Sequence, residues 1–178
     1  MNLIVGAPWW LTALIGAVLC AAAIEDAVRL RISNLTCLAV IVVALVAMAI
    51  HGFPAALWQN AVVFLLILVA GTGAFAAGML GGGDVKLLAA LGLWMNFAGA
   101  VWLIAAVFLA GGVLALLFIL TRPIRRRARK ARGKSDSTGI PYGLAIAAGA
   151  AIVFGTQSGV LDTKPAKPNP LEFRPLSR

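Results

Sequence analysis

Six runs of mostly apolar residues constrain the fold of this chain more than any other feature of its sequence. A helix of about 20 apolar residues crosses the hydrocarbon core of a bilayer. The 178-residue chain is 62% hydrophobic and 12% charged, which leaves too few charges to cover the surface of a soluble domain. The sequence therefore predicts an all-α integral membrane protein with about six transmembrane helices and no soluble domain. The predicted segments are residues 5–24, 35–51, 57–78, 85–99, 101–121 and 139–157.

The chain divides into two parts of different composition. Residues 1–157 hold all six apolar runs and are predicted to form one membrane domain, with a basic cytoplasmic loop over residues 122–138. Residues 158–178 contain four prolines and scattered charges, a composition typical of a disordered tail. No internal repeat divides the membrane domain further.

Basic residues predict the orientation of the segments. Eight of the 15 Lys and Arg residues lie between Arg122 and Lys134, and Arg29, Arg31 and Lys86 lie in two other connections. Connections rich in Lys and Arg stay in the cytoplasm, so the first, third and fifth connections are expected there. We expect the basic loop to lie near anionic lipid headgroups rather than to bind nucleic acid. The tryptophans, which favour the headgroup level, all fall at the predicted outer ends: Trp9, Trp10, Trp58, Trp94 and Trp102.

Two aspartates stand at the same predicted membrane face. Asp26 ends the first apolar segment and Asp84 precedes the fourth, and a carboxylate at membrane depth is a functional candidate because its burial is costly. Two close carboxyls share a proton, so one can take a proton from water while the other polarises a carbonyl. The structural alternative is a pair of interfacial aspartates that reach water or pair with Arg29, Arg31 or Lys86. Glu25 neighbours Asp26, but helical geometry turns it about 100° away.

The sequence predicts no metal and no cofactor. His51 is the single histidine, which excludes zinc peptidases that need two. Cys20 and Cys37 lie in apolar runs and form no Cys-x-x-Cys pair, so a structural zinc site is not expected.

A glycine triplet precedes the second aspartate. Gly81, Gly82 and Gly83 stand directly before Asp84, and Lys86 follows two residues later. Glycine lets backbone segments come close together and adopts angles that other residues avoid. The triplet therefore predicts a place where a substrate backbone can approach, although a plain turn between helices remains the alternative. Gly139 and Gly143 form a Gly-x-x-x-Gly pattern, which is more typical of helix packing.

Three motifs give the chain a resemblance to a known family. The Gly81-Gly82-Gly83-Asp84 stretch resembles the Gly-x-Gly-Asp motif of intramembrane-type aspartyl proteases, and the following Val-Lys-Leu narrows this to the type 4 prepilin peptidases. The segment from Asp26 to Asn34 is similar to the family's first-aspartate segment, with Ser33 where proline is usual. Residues 140–146 resemble its Pro-Tyr-Gly-x-Ala-Ile segment. The resemblance covers roughly residues 10–157.

The resemblance implies a membrane aspartyl endopeptidase of the bacterial inner membrane. It implies that the enzyme removes the short basic leader of prepilin-like, membrane-anchored substrates at the cytoplasmic face, with Asp26 and Asp84 as catalytic residues. The chain lacks the paired Cys-x-x-Cys insertion of larger members, and so resembles the short form of tight-adherence (Flp-type) pilus systems, without methyltransferase activity, zinc or S-adenosylmethionine. The residues expected to shape the site are Gly81, Gly82, Gly83, Lys86, Asn34, Pro141 and Tyr142.

Some roles stay open on sequence grounds. Lys86 either lowers the pKa of Asp84 or anchors its helix at the headgroups. Asn34 and Tyr142 either form hydrogen bonds around the site or act as a helix cap and an interface anchor. The rival function is a small transporter or channel subunit with Asp84 as an ion or proton site, which predicts an acid near the middle of the bilayer. A non-catalytic assembly protein is a second rival.

Overall fold

The fold is an all-helical bundle. The computed structural model describes residues 1–131 and 142–158, and within these ranges no strand is present. Six α-helices follow one another, and a single 3-10 turn (Ala55–Leu57) leads into the third. The helices are α1 (Trp9–Arg29), α2 (Asn34–Ile50), α3 (Trp58–Ala76), α4 (Gly82–Gly92), α5 (Phe97–Ala131) and α6 (Tyr142–Gln157).

The helix lengths confirm an integral membrane protein of the all-α class. Three segments are long and apolar enough to cross a bilayer, namely Trp9–Arg29, Ala55–Ala76 and Phe97–Arg122. Helices α2 and α6 are shorter but also apolar. Large apolar side chains cover the outside of the bundle, as expected for a surface that faces lipid.

Helix α4 is much shorter than the predicted segment 85–99. Its 11 residues span only about 16 Å at 1.5 Å per residue. The amides of Leu93, Trp94 and Met95 bond to carbonyls three residues back, which tightens and ends the helix. Asn96 then caps α5 by accepting a hydrogen bond from the Gly99 amide at 2.8 Å. Helix α4 thus ends and α5 begins within residues 93–97, although the apolar residues of the sequence continue across this junction.

Helix α4 lies at the centre of the bundle. It packs against α2, α3 and α6, while α1 packs on α2 and α6, and α5 packs on α6. Small residues allow these close contacts, as is usual between membrane helices. A Cβ on Gly149 of α6 would lie 2.7 Å from the Val107 backbone nitrogen of α5. The buried α4 therefore holds its first turn, which carries Asp84, against fixed neighbours.

The end of the bundle opposite Asp26 and Asp84 carries the tryptophans. Trp94 is fully buried, and its indole N–H donates to the Val40 carbonyl at 3.3 Å. Trp94 therefore packs inside the protein and is not exposed to headgroups, because the tight end of α4 turns its ring into the core. The other four are exposed: Trp9, Trp10, Trp58 and Trp102.

The predicted basic loop begins as a helix. Helix α5 continues through Pro123 to Ala131, ten residues past the predicted end of the fifth segment at 121. Arg, Lys and Ala are strong helix formers, which accounts for the extension into residues 122–131. The rest of the loop and the tail from residue 159 lie outside the described residues.

Candidate active site

Asp26 lies in the last turn of α1 and is buried, with 5% of its surface exposed. Its carboxylate accepts a hydrogen bond from the Leu144 backbone amide at 3.2 Å and a second from the Gly143 amide. Both amides belong to the first turn of α6, where backbone N–H groups have no partner within the helix. The helix N-terminus also favours negative charge. The first turn of α6 thus makes the burial of this carboxylate possible.

Gly143 allows α6 to approach Asp26 this closely. A Cβ at position 143 would lie 2.9 Å from Cγ of Asp26 and 2.7 Å from Cδ1 of Ile32. The sequence predicted a helix-packing role for Gly143, and this residue was not among the predicted site residues. The signal was present, because this glycine belongs to the Pro-Tyr-Gly segment. Its partner in that pattern, Gly139, lies outside the described residues.

Asp84 lies in the first turn of α4, three residues after Gly81. The Gly81 backbone amide hydrogen-bonds the Asp84 carboxylate, an arrangement by which an acid caps its own helix. A Cβ on Gly81 would lie 2.7 Å from Oδ2 of Asp84. Only glycine at position 81 therefore lets this carboxyl fold back without displacement.

The glycine triplet acts through close approach and not through unusual backbone angles. Among the described glycines, the positive φ values are at Gly6, Gly52 and Gly78, and none is in the triplet. A Cβ on Gly83 would lie 3.2 Å from the Ile32 carbonyl oxygen, whereas one on Gly82 would make an ordinary contact with Phe75 at 3.5 Å. The expectation of unusual angles was wrong, because Gly78 makes the turn between α3 and α4.

The two carboxyls lie close enough to interact electrostatically. Burial, followed by the charge of Asp26, raises the pKa of Asp84 to about 6. Asp84 lies outside the three candidate membrane spans. Two carboxyls in this relation do not both ionise readily, which favours the protonated form of Asp84 at mildly acidic pH.

Lys86 and Asn34 join α4 to α2 beside this pair. The Lys86 ammonium donates to Oδ1 of Asn34 at 2.9 Å, and both side chains are exposed. Asn34 does not cap its helix, because Ser33 precedes it and its Oγ accepts from the Thr36 amide at 3.1 Å. Tyr142 begins α6 and is 40% exposed.

The structure brings together seven of the predicted site residues. Asp26, Asp84 and the three glycines meet at one end of the bundle, with Lys86 and Asn34 at the edge of this cluster. Tyr142 lies next to Gly143 in the first turn of α6. Pro141 lies outside the described residues.

Glu25 has partners that the sequence did not predict. Its Oε2 accepts hydrogen bonds from the Ser33 backbone amide at 3.2 Å and from the Thr36 hydroxyl at 2.7 Å. A polar cavity of about 330 Å³ lies beside it, lined also by Arg29, Arg31 and Ile32. Residue spacing alone does not reveal these contacts, because they depend on how the chain turns between α1 and α2.

An apolar groove of about 460 Å³ between α1 and α6 leads toward Asp26. Gly16, Ala23 and Ala147 are among the small residues that line it, and Leu144, whose backbone amide bonds Asp26, lines it too. Within the described ranges, no three His, Cys, Asp or Glu side chains are grouped so that they could hold a metal ion.

Fold and site together define a polytopic helical membrane protein with paired carboxyls at one end of its bundle. The sequence model of the Type IV leader peptidase family matches residues 13–119, more than half of the chain, and this region includes Asp26 and Asp84. The chain belongs to the type IV leader peptidase family and is a membrane protease of the prepilin peptidase kind. No curated protein and no solved structure matches it. Helix α6 lies beyond the matched region, so its contact with Asp26 is known from the structure alone.

Proposed function

We propose that this protein is an aspartic endopeptidase that removes the leader peptide of prepilin-like substrates at the cytoplasmic face of the bacterial inner membrane. One observation carries the proposal. Asp26 at the end of α1 and Asp84 at the start of α4 lie at the same end of the bundle and interact electrostatically. In a family of leader peptidases, such a pair has the composition that acid–base hydrolysis requires.

The proposed mechanism needs one ionised and one protonated carboxyl. The ionised carboxyl takes a proton from water, and the resulting hydroxide equivalent attacks the scissile carbonyl carbon. The protonated carboxyl donates to the carbonyl oxygen, which stabilises the developing negative charge. Collapse of the tetrahedral intermediate breaks the C–N bond, and the amine leaves with a proton from the pair. Because the two carboxyls are coupled, they titrate as a unit.

The position of the carboxyls favours hydrolysis over transport. A transporter or channel subunit would need an acid near the middle of a span. Asp26 lies three residues before the end of α1 and Asp84 lies in the first turn of α4. Both positions are at helix ends and not in the middle of a span, and Asp84 is partly exposed to the water that the reaction consumes.

The proposed activity is that of a peptidase alone. The chain lacks paired Cys-x-x-Cys motifs, so we expect no N-methyltransferase activity. The basic segment from residue 122 supports the cytoplasmic orientation, because Lys and Arg accumulate on that side.

Cleavage of a prepilin co-expressed from a neighbouring locus tests the proposal. Wild type is compared with Asp26→Asn and Asp84→Asn, which keep the side-chain size but remove the titrating group. We expect a shortened product of the correct mass with wild type, and a loss of about 10²–10⁴-fold in rate for either variant. Equal accumulation of all three proteins in membranes is the control. Cleavage that survives both substitutions would exclude the aspartyl mechanism.

A further inference from the structure

Glu25, the residue before Asp26, forms its hydrogen bonds with the start of α2 and not with the two aspartates. Glu25 directs Oε2 to the N-terminus of α2, where it accepts from the Ser33 amide and the Thr36 hydroxyl at 3.2 and 2.7 Å. Hydrogen bonds to an ionised acceptor are stronger than those between neutral groups. These two bonds tie the last turn of α1 to the start of α2 and so close the connection between the two helices.

Ile32 lies inside this closed connection and contacts both halves of the site. On one side, its carbonyl oxygen and its Cβ are each 3.2 Å from the position of a Cβ on Gly83, the residue before Asp84. On the other side, its Cδ1 is 2.7 Å from the position of a Cβ on Gly143, whose amide binds Asp26. Because both of these neighbours are glycines, Ile32 fits between the first turn of α4 and the first turn of α6 and acts as a spacer between them.

The geometry points to Glu25 as a positioning residue that holds Ile32 in place and thereby sets the separation of the Asp26 and Asp84 carboxyls. This inference rests on the proposed function. The electrostatic coupling of two charges depends on their distance, so a small shift of the spacer changes how the pair shares its proton. The reacting groups of an enzyme also tolerate little displacement.

A different role for Glu25 is direct attraction of a basic substrate segment. The nearby charges do not separate these roles, because Arg29 and Arg31 line the same cavity as Glu25. Glu25→Gln separates them, since its amide oxygen still accepts both hydrogen bonds but carries no charge. Glu25→Ala removes acceptor and charge together.

The test measures prepilin cleavage by the purified full-length chain in detergent over a range of pH. For Glu25→Ala, we expect kcat to fall by about tenfold or more with KM unchanged, because misplacement affects the chemical step. We also expect the width of its bell-shaped pH profile to change, because a changed separation of the carboxyls changes their coupling and hence the spacing of the two apparent pKa values of the pair. Glu25→Gln is expected to stay within about threefold of wild type and to keep the wild-type profile.

A second pair of variants tests the same contact from α2. Thr36→Val keeps the shape but removes the hydroxyl, which bonds Glu25 and also contacts the Ser33 hydroxyl at 2.8 Å. It should therefore change the pH profile in the same direction as Glu25→Ala, whereas Thr36→Ser keeps the hydroxyl and should keep the wild-type profile. The matched control is Thr72→Val in α3, whose hydroxyl bonds only within its own helix, to the Leu68 carbonyl. If Glu25→Ala fails to accumulate, the Thr36 variants still decide the question.

Two results would overturn the inference. Equal losses in Glu25→Gln and Glu25→Ala with a raised KM would assign Glu25 to substrate attraction by charge. Wild-type kinetics and pH profile in both Glu25→Ala and Thr36→Val would remove its role in positioning. Failure of the proposed function is a separate outcome, because it appears as cleavage that persists in the Asp26→Asn and Asp84→Asn variants.

Discussion

Single glycines at this site are explained by what a methyl group would touch. Gly81 and Gly143 each face a carboxyl group of the pair, whereas Gly82 faces the ring of Phe75 at ordinary contact distance. In the sequence the three glycines look equivalent, because the sequence does not show which neighbour each of them contacts in the fold. The triplet could therefore be predicted as part of the site, but the unequal importance of its members could not.

Gly143→Ala tests the contact between α6 and Asp26. Its new Cβ would lie 2.9 Å from Cγ of Asp26, so the carboxyl must move away from the amides that hold it. We expect cleavage to fall by about tenfold or more while the protein still accumulates in membranes. Gly112→Ala in α5 is the control, because nothing lies within 4 Å of its Cβ position. Equal activity in both variants would contradict the assigned contact.

Gly81→Ala and Gly82→Ala form a second matched pair. The first places a methyl 2.7 Å from Oδ2 of Asp84, and the second places one 3.5 Å from the Phe75 ring. We expect Gly81→Ala to lose most of its cleavage rate and Gly82→Ala to stay near wild type, as measured by initial rates on a prepilin. If Gly82→Ala were the more damaged of the two, the capping geometry of Asp84 would not explain the motif.

At the scale of the helices, the sequence predicted the number of elements and the location of the two aspartates. Apolar runs separated by polar connections gave six segments, and their alternating direction placed Asp26 and Asp84 at one end. Two features of the helices could not be predicted from the sequence. The end of α4 depends on tight turns at Leu93 to Met95 and on the Asn96 cap, and the apolar pattern is continuous across both. The hydrogen bonds of Glu25 depend on how α1 and α2 are joined and packed, which residue spacing does not show.

We expect the meeting of two helix ends at Asp26 and Asp84 to set the pH dependence of cleavage. Asp84 has its pKa raised to about 6 by burial and by Asp26, so the proton on the pair is present below about this pH and is lost as pH rises through it. Because the mechanism needs one proton on the pair, we expect a bell-shaped profile of kcat/KM whose alkaline limb begins near pH 6. Rates that stay flat between about pH 4 and 8, with chemistry limiting, would contradict it.

At the scale of the whole molecule, the bundle separates two environments. The end with the exposed tryptophans also holds the N-terminal segment, where the Leu3 amide donates to the Trp94 carbonyl at 2.9 Å and His51 contacts the Leu3 carbonyl. The opposite end holds the carboxyl pair. Composition was enough to predict a membrane protein, but Trp94 shows its limit, since a residue typical of interfaces fills the core instead.

The central claim is that Asp26 and Asp84 act as one unit. The most direct measurement compares single-turnover cleavage of a purified prepilin by Asp26→Asn, Asp84→Asn and the double variant. A unit predicts that each single variant loses about 10²–10⁴-fold and that the double variant loses no more than the singles. Losses that multiply in the double variant would show two independent contributions, and undiminished cleavage in either single variant would remove that aspartate from the mechanism.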